Sequence, residues 1–129
     1  MRLTDESAVI AIIDDDEPLR GALDNLIRSC GFRTMPFPSA ETFLAMPRCE
    51  RVDVIVTDFG MPGMSGLELL KTIKERGDVA PVILISAHAD EQLVGQALGL
   101  GAIACLQKPF DDETLLAEID RGLGAAGKR

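Results

Sequence analysis

The tightest constraint on this chain is a rhythm: five short apolar runs, rich in β-branched residues, alternate with segments of helical spacing. The first run, Ala8-Val9-Ile10-Ala11-Ile12-Ile13, is apolar at every position. A strand with one wet face alternates apolar and polar residues, whereas a strand covered on both faces does not. Val52-Asp53-Val54-Ile55-Val56-Thr57 and Pro81-Val82-Ile83-Leu84-Ile85 read as covered strands too, and residues 102–106 as a fifth. Residues 32–37 form a weaker second strand. Pro36 and Pro38 suit an edge, because proline cannot donate to a ladder.

The intervening segments repeat at helical spacing. Glu17-Pro18 opens a helix bearing Leu19, Leu23, Leu26, Ile27 and Cys30, and Gly31 stops it. Ser39 can cap a short helix carrying Phe43 and Leu44. Ser65-Gly66-Leu67-Glu68 has capping-box spacing ahead of Leu69, Leu70 and Ile73. Residues 90–100 read as helix weakened by Gly95 and Gly99. Residues 111–123 read as the last helix, with Leu115, Leu116, Ile119 and Leu123 inward. A (βα) unit repeated five times predicts an α/β fold, a parallel sheet with helices on both faces.

The 129 residues suit one compact domain, placed at 1–123, with 124–129 as a tail or the start of a linker. Hydrophobic content of 47% against 4% aromatic makes the core aliphatic. The formal net charge of −8 argues against direct nucleic-acid binding by this domain, which relies on clustered Lys and Arg. No apolar run approaches the roughly 20 residues of a membrane helix. Cys30, Cys49 and Cys105 show no metal-ligand spacing. An odd cysteine count behind a polar, acidic start points to reduced thiols and a cytoplasmic location.

Polar residues recur at one place, the carboxyl ends of the strands. Asp14, Asp15 and Asp16 follow the first, Asp58 the third and Lys108 the fifth, while Ser86 ends the fourth. Open parallel sheets bind ligands in the crevice outside those ends. Crowded carboxylates repel one another, and a hard cation with a taste for oxygen, magnesium or manganese, relieves them. The bland alternative makes Asp14 to Glu17 a solvated loop and a helix start, where acids are favoured anyway.

Four stretches, in this order and at strand ends, resemble the receiver domain of two-component response regulators. They are Ile13-Asp14-Asp15-Asp16-Glu17-Pro18, Thr57-Asp58-Phe59-Gly60-Met61-Pro62-Gly63-Met64-Ser65-Gly66, Ile85-Ser86-Ala87 and Lys108-Pro109-Phe110. The look is that of the nitrogen-fixation type of regulator, which carries a DNA-binding output domain. The resemblance implies a flavodoxin-like, doubly wound five-stranded sheet of order 2-1-3-4-5. It implies that Asp58 is the phosphoacceptor and that Asp15, Asp58 and the Gly60 backbone carbonyl ligate magnesium, with Asp14 acting largely through metal-bound water. Ser86, the Ala87 backbone and Lys108 would bind the phosphoryl group, and the Lys108-Pro109 bond would be cis. Implied partners are a sensor histidine kinase or phosphotransfer protein and an output partner or output domain, with a phosphorylation-linked homodimer common in the family.

Ser86 and residue 105 form the switch positions implied by the resemblance. Family members usually carry Tyr or Phe where this chain has Cys105, so the usual coupling lacks its ring; a buried apolar thiol is the plain reading. Gly60 and His88 are possible modulators of phosphate lifetime: Gly60 leaves the site unshielded, and His88 lies two residues past Ser86. Three other readings compete. Asp14 and Asp16 have the spacing of a haloacid-dehalogenase-like magnesium phosphatase, which would leave Asp58 and Pro62 unexplained. A flavin carrier shares the fold type, yet acids after the first strand would repel a flavin phosphate. A receiver used only as an inactive binding module would not need every key position filled.

Overall fold

The structure is a computed structural model that describes residues 8–47 and 52–127. Strands β1 (Val9–Ile13), β2 (Arg33–Phe37), β3 (Val54–Asp58), β4 (Val82–Ser86) and β5 (Ala104–Gln107) form one sheet. Every pairing is parallel, and the order is β2-β1-β3-β4-β5. The strand bearing Pro36 lies at an edge, as its prolines predict.

Side-chain alternation splits the core into two halves. On one face Ala11, Ile13, Ile55, Val82 and Leu84 meet helices α2 (Ala40–Leu44), α3 (Gly66–Glu75) and α4 (Glu91–Gly99). These helices contribute Phe43, Leu69, Leu70, Ile73, Leu93 and Ala97. On the other face Ile10, Ile12, Val54, Val56, Ile83 and Ile85 meet α1 (Glu17–Ser29) and α5 (Asp112–Gly127) through Leu23, Ile27, Leu115 and Ile119. The central strands β1, β3 and β4 are buried along their whole length, which is why their sequences do not alternate.

Local signals act where the sequence puts them. Ser65 Oγ accepts the Glu68 N–H while the Glu68 carboxylate accepts the Ser65 N–H, a complete capping box. Ser39 Oγ accepts the Thr42 N–H at 3.0 Å at the start of α2. Gly31 follows α1 with φ +96°, a left-handed conformation that favours glycine.

Several boundaries differ from expectation: the third strand runs Val54–Asp58 rather than 52–57, and the fourth Val82–Ser86 rather than 81–85. The fifth strand starts at Ala104, because the Ala102 N–H bonds to the Ala97 carbonyl and closes the end of α4. The last helix runs past Leu123 to Gly127. Gly122 does not stop it. A Cβ there would lie 3.1 Å from Ile103 Cδ1 and 3.2 Å from Pro81 Cγ, so the missing side chain lets α5 lie close to its neighbours. Cys49 falls outside the described residues. No described helix is long and apolar enough to cross a membrane.

Candidate functional site

Parallel strands deliver their last residues to one edge. Asp14 directly follows β1, and its N–H donates to the Phe37 carbonyl at 3.1 Å, extending the sheet by one bond. Asp58 ends β3, opposite Ile85, so Ser86 lies one step beyond it on the neighbouring strand. Lys108 follows β5, and its N–H donates to the Ser86 carbonyl at 2.8 Å. Residues far apart in sequence thus reach one crevice because the sheet register is continuous from β2 to β5.

Carboxylate oxygens of Asp14, Asp15 and Asp58 all lie within 4.8 Å of one another. Asp14 is wholly buried and Asp58 is 5% exposed, whereas Asp15 is exposed. Asp14 Oδ1 accepts the Asp16 N–H at 2.9 Å. Asp14 Oδ2 is buried and has no hydrogen-bond partner among the described residues. Lys108 Nζ sits 2.9 Å from Asp58 Oδ1 and 3.9 Å from Asp14 Oδ2. The Lys108–Pro109 bond is cis.

Burial pushes the Asp14 carboxyl up to about 6. The Asp16 N–H and Lys108 pull it down, while the charges of Asp58 and Asp15 push it up. One ammonium facing three carboxylates leaves negative charge in excess. A buried orphan oxygen, an all-oxygen donor set and one exposed ligand open to solvent fit a hard divalent cation such as magnesium. Asp16 is not part of this cluster. Its Oδ1 accepts the Leu19 N–H at 3.2 Å and caps α1.

The remaining sequence candidates spread around the crevice. Gly60 is exposed, and a Cβ there would meet no heavy atom within 4 Å. Ser86 is buried at 3% exposure, and its Oγ accepts the His88 N–H at 3.0 Å. That bond leaves the hydroxyl proton free to donate elsewhere. Ala87 and His88 are exposed. Cys105 is half-buried, packs against the α2–α3–α4 side of the core, and has its thiol pushed up by burial. A raised thiol is a poor nucleophile, which favours a packing role.

Three residues have roles that escaped sequence reasoning. Arg20, one turn into α1, donates from Nη1 to the Asp14 carbonyl at 2.8 Å and braces the acidic loop. Gly66 lets the start of α3 approach the end of β3: a Cβ there would lie 2.5 Å from the Asp58 carbonyl oxygen and 2.6 Å from Leu84 Cδ1. Gln107, the last residue of β5, bonds the loop that follows Ser86.

Comparison with known proteins bears on the whole chain. The model of the response regulator receiver domain matches residues 10–120. The transcriptional regulatory protein FixJ of Azorhizobium caulinodans is 40% identical over 96% of this chain, which spans 59% of that protein. The crystal structure of FixJ-N superposes with a TM-score of 0.84 at 36% identity, covering 91% of this chain and 94% of that one. The response regulator StyR superposes with a TM-score of 0.87 at 39% identity, covering 95% of this chain and 62% of that one. The chain therefore spans about three fifths of the length of the FixJ protein it matches. Family model, relatives and fold agree along nearly the whole sequence: the chain belongs to the response regulator receiver domain family.

Proposed function

We propose that Asp58 accepts a phosphoryl group from a histidine kinase or phosphotransfer protein, and that the phosphorylated domain changes what its surface binds. The observation that carries this reading is the pairing of Asp58 Oδ1 with Lys108 Nζ at 2.9 Å, beside the orphaned Asp14 Oδ2. An Asp58 carboxylate oxygen attacks phosphorus, forming an acyl phosphate. The bond from phosphorus to the donor nitrogen breaks, and its electron pair leaves with the donor. Charge spreads over the transferring oxygens, so positioning and charge stabilisation carry the reaction. Lys108 exchanges its Asp58 contact for a phosphoryl oxygen. Ser86 donates its free hydroxyl proton, and the Ala87 N–H adds a further donor.

Asp14, Asp15, Asp58 and the Gly60 carbonyl would hold magnesium, or manganese, which when bound supplies positive charge against the incoming group. Asp14 raises the demand for that charge, since it is buried with one oxygen unpartnered. The phosphatase alternative is disfavoured because Asp16 caps α1 outside the carboxylate cluster. The flavin alternative is disfavoured by the same three carboxylates, which repel a phosphate. A cytoplasmic location, an output domain or partner, and dimerisation on phosphorylation complete the proposal.

Intact mass after reaction with a small phosphodonor and magnesium tests it. The wild type should gain one phosphoryl group and Asp58→Asn none. No gain in the wild type would remove the reading.

A further inference from the structure

Gln107 makes a set of contacts that the chemistry above does not use. Its Oε1 accepts the Ala89 N–H at 2.8 Å, and its Nε2 donates to the Ala87 carbonyl at 2.6 Å and to the Lys108 carbonyl at 3.2 Å. One side-chain amide therefore grips both sides of the segment Ala87-His88-Ala89 and ties it to the residue bearing the ammonium. The grip follows from register: Gln107 lies opposite Ser86 in the β4–β5 pairing, so its side chain starts level with the loop it holds. Within the same loop the His88 N–H donates to Ser86 Oγ. The loop's Ala87 and Ala89 backbone groups are thus fixed from outside and its hydroxyl from inside.

We infer that Gln107 is a positioning residue for phosphoryl binding: its amide holds the segment after β4 in the shape that presents the Ser86 hydroxyl and the Ala87 N–H to the phosphoryl oxygens. The inference rests on the receiver reading and extends it to a residue outside the carboxylate crevice. Fixing donors before the group arrives removes the ordering cost from the binding step. Asp14 and Asp15 follow β1 and Asp58 ends β3, and among the described residues the Gln107 side chain bonds Ala87, Ala89 and the Lys108 carbonyl rather than these carboxylates. Loss of the clamp should therefore weaken phosphoryl binding and leave magnesium binding alone, a split that general loosening of the fold would not produce.

Two variants separate shape from hydrogen bonding. Gln107→Met keeps the length and removes both polar groups. Gln107→Glu keeps the acceptor for the Ala89 N–H and sets a second acceptor against the Ala87 carbonyl. Both are measured in the full chain, first for magnesium affinity alone, then for affinity towards beryllofluoride with magnesium, and for Ala89 amide exchange without either.

Losing hydrogen bonds of ordinary strength should lower beryllofluoride affinity by about tenfold in both variants. Magnesium affinity should stay within about twofold, and Ala89 exchange should quicken by about tenfold in Gln107→Met. Wild-type beryllofluoride affinity in either folded variant would overturn the inference, as would a matching fall in magnesium affinity. Failure of the wild type itself to take up beryllofluoride would instead bring down the receiver reading, so the two failures are distinguishable.

Discussion

Asp14 is wholly buried, carries one unpartnered oxygen and faces two other carboxylates, so its charge works against the metal-free fold. Asn is nearly the same shape, and its carbonyl can still accept the Asp16 N–H. We expect Asp14→Asn to stabilise the metal-free protein at neutral pH by about 1–3 kcal/mol while weakening magnesium binding at least tenfold. Denaturant titration in chelator and magnesium titration check the two halves. Gly60 offers the opposite experiment. Open space surrounds the position of its missing Cβ, so a long side chain fits without strain. Gly60→Arg should cover the crevice and slow loss of the Asp58 phosphoryl group several-fold, equivalent to about 1 kcal/mol of barrier. Unchanged or faster loss, followed by intact mass over time, would rule out the shielding argument.

Helix α4 keeps the weakness that its sequence suggests. Gly95 and Gly99 are both exposed, and a Cβ at either would meet nothing within 4 Å. They weaken the helix without serving a contact. Replacing either by Ala should stabilise the domain by about 0.5–1 kcal/mol and slow amide exchange along α4. A loss of stability in both would show a contact that the present geometry lacks. Elements were legible from sequence where a periodic signal had a cap to bound it, as in α1 and α3. The carboxylate crevice was legible because parallel strands must bring Asp14, Asp58, Ser86 and Lys108 to one edge, whatever the details of packing. Gln107 and Arg20 were not, because their partners are backbone carbonyls and N–H groups, which look the same in every sequence. Gly66 carried a capping signal through its neighbour Ser65, but its closeness to the Asp58 carbonyl depends on how α3 docks.

At the scale of the whole molecule, the raised Asp14 carboxyl links proton, metal and fold. The folded chain holds a proton at Asp14 up to about 6, whereas the unfolded chain releases it nearer the ordinary 3.8. The folded state thus binds more protons between those values, and stability falls as pH rises through that window. The cost from this group is about 3 kcal/mol once pH passes the upper value. Thermal unfolding in chelator should therefore show a declining contribution from about pH 4 to about pH 6 that Asp14→Asn lacks. Magnesium should reverse the trend, because it binds the deprotonated site, and its affinity should drop as pH falls below about 6. A wild-type profile parallel to that of Asp14→Asn would show that burial does not hold the proton.

The strand order also has a meaning in time. Lys108 follows β5, which is both the last strand of this sheet to leave a ribosome and one of its edges. Asp14 and Asp58 belong to segments made earlier, and chains are built from the amino end. A nascent chain can therefore expose its acidic residues long before their ammonium partner exists. The proposed site is assembled only when the final strand closes against β4, so competence to receive a phosphoryl group, on the function proposed above, would report that all five strands have been made.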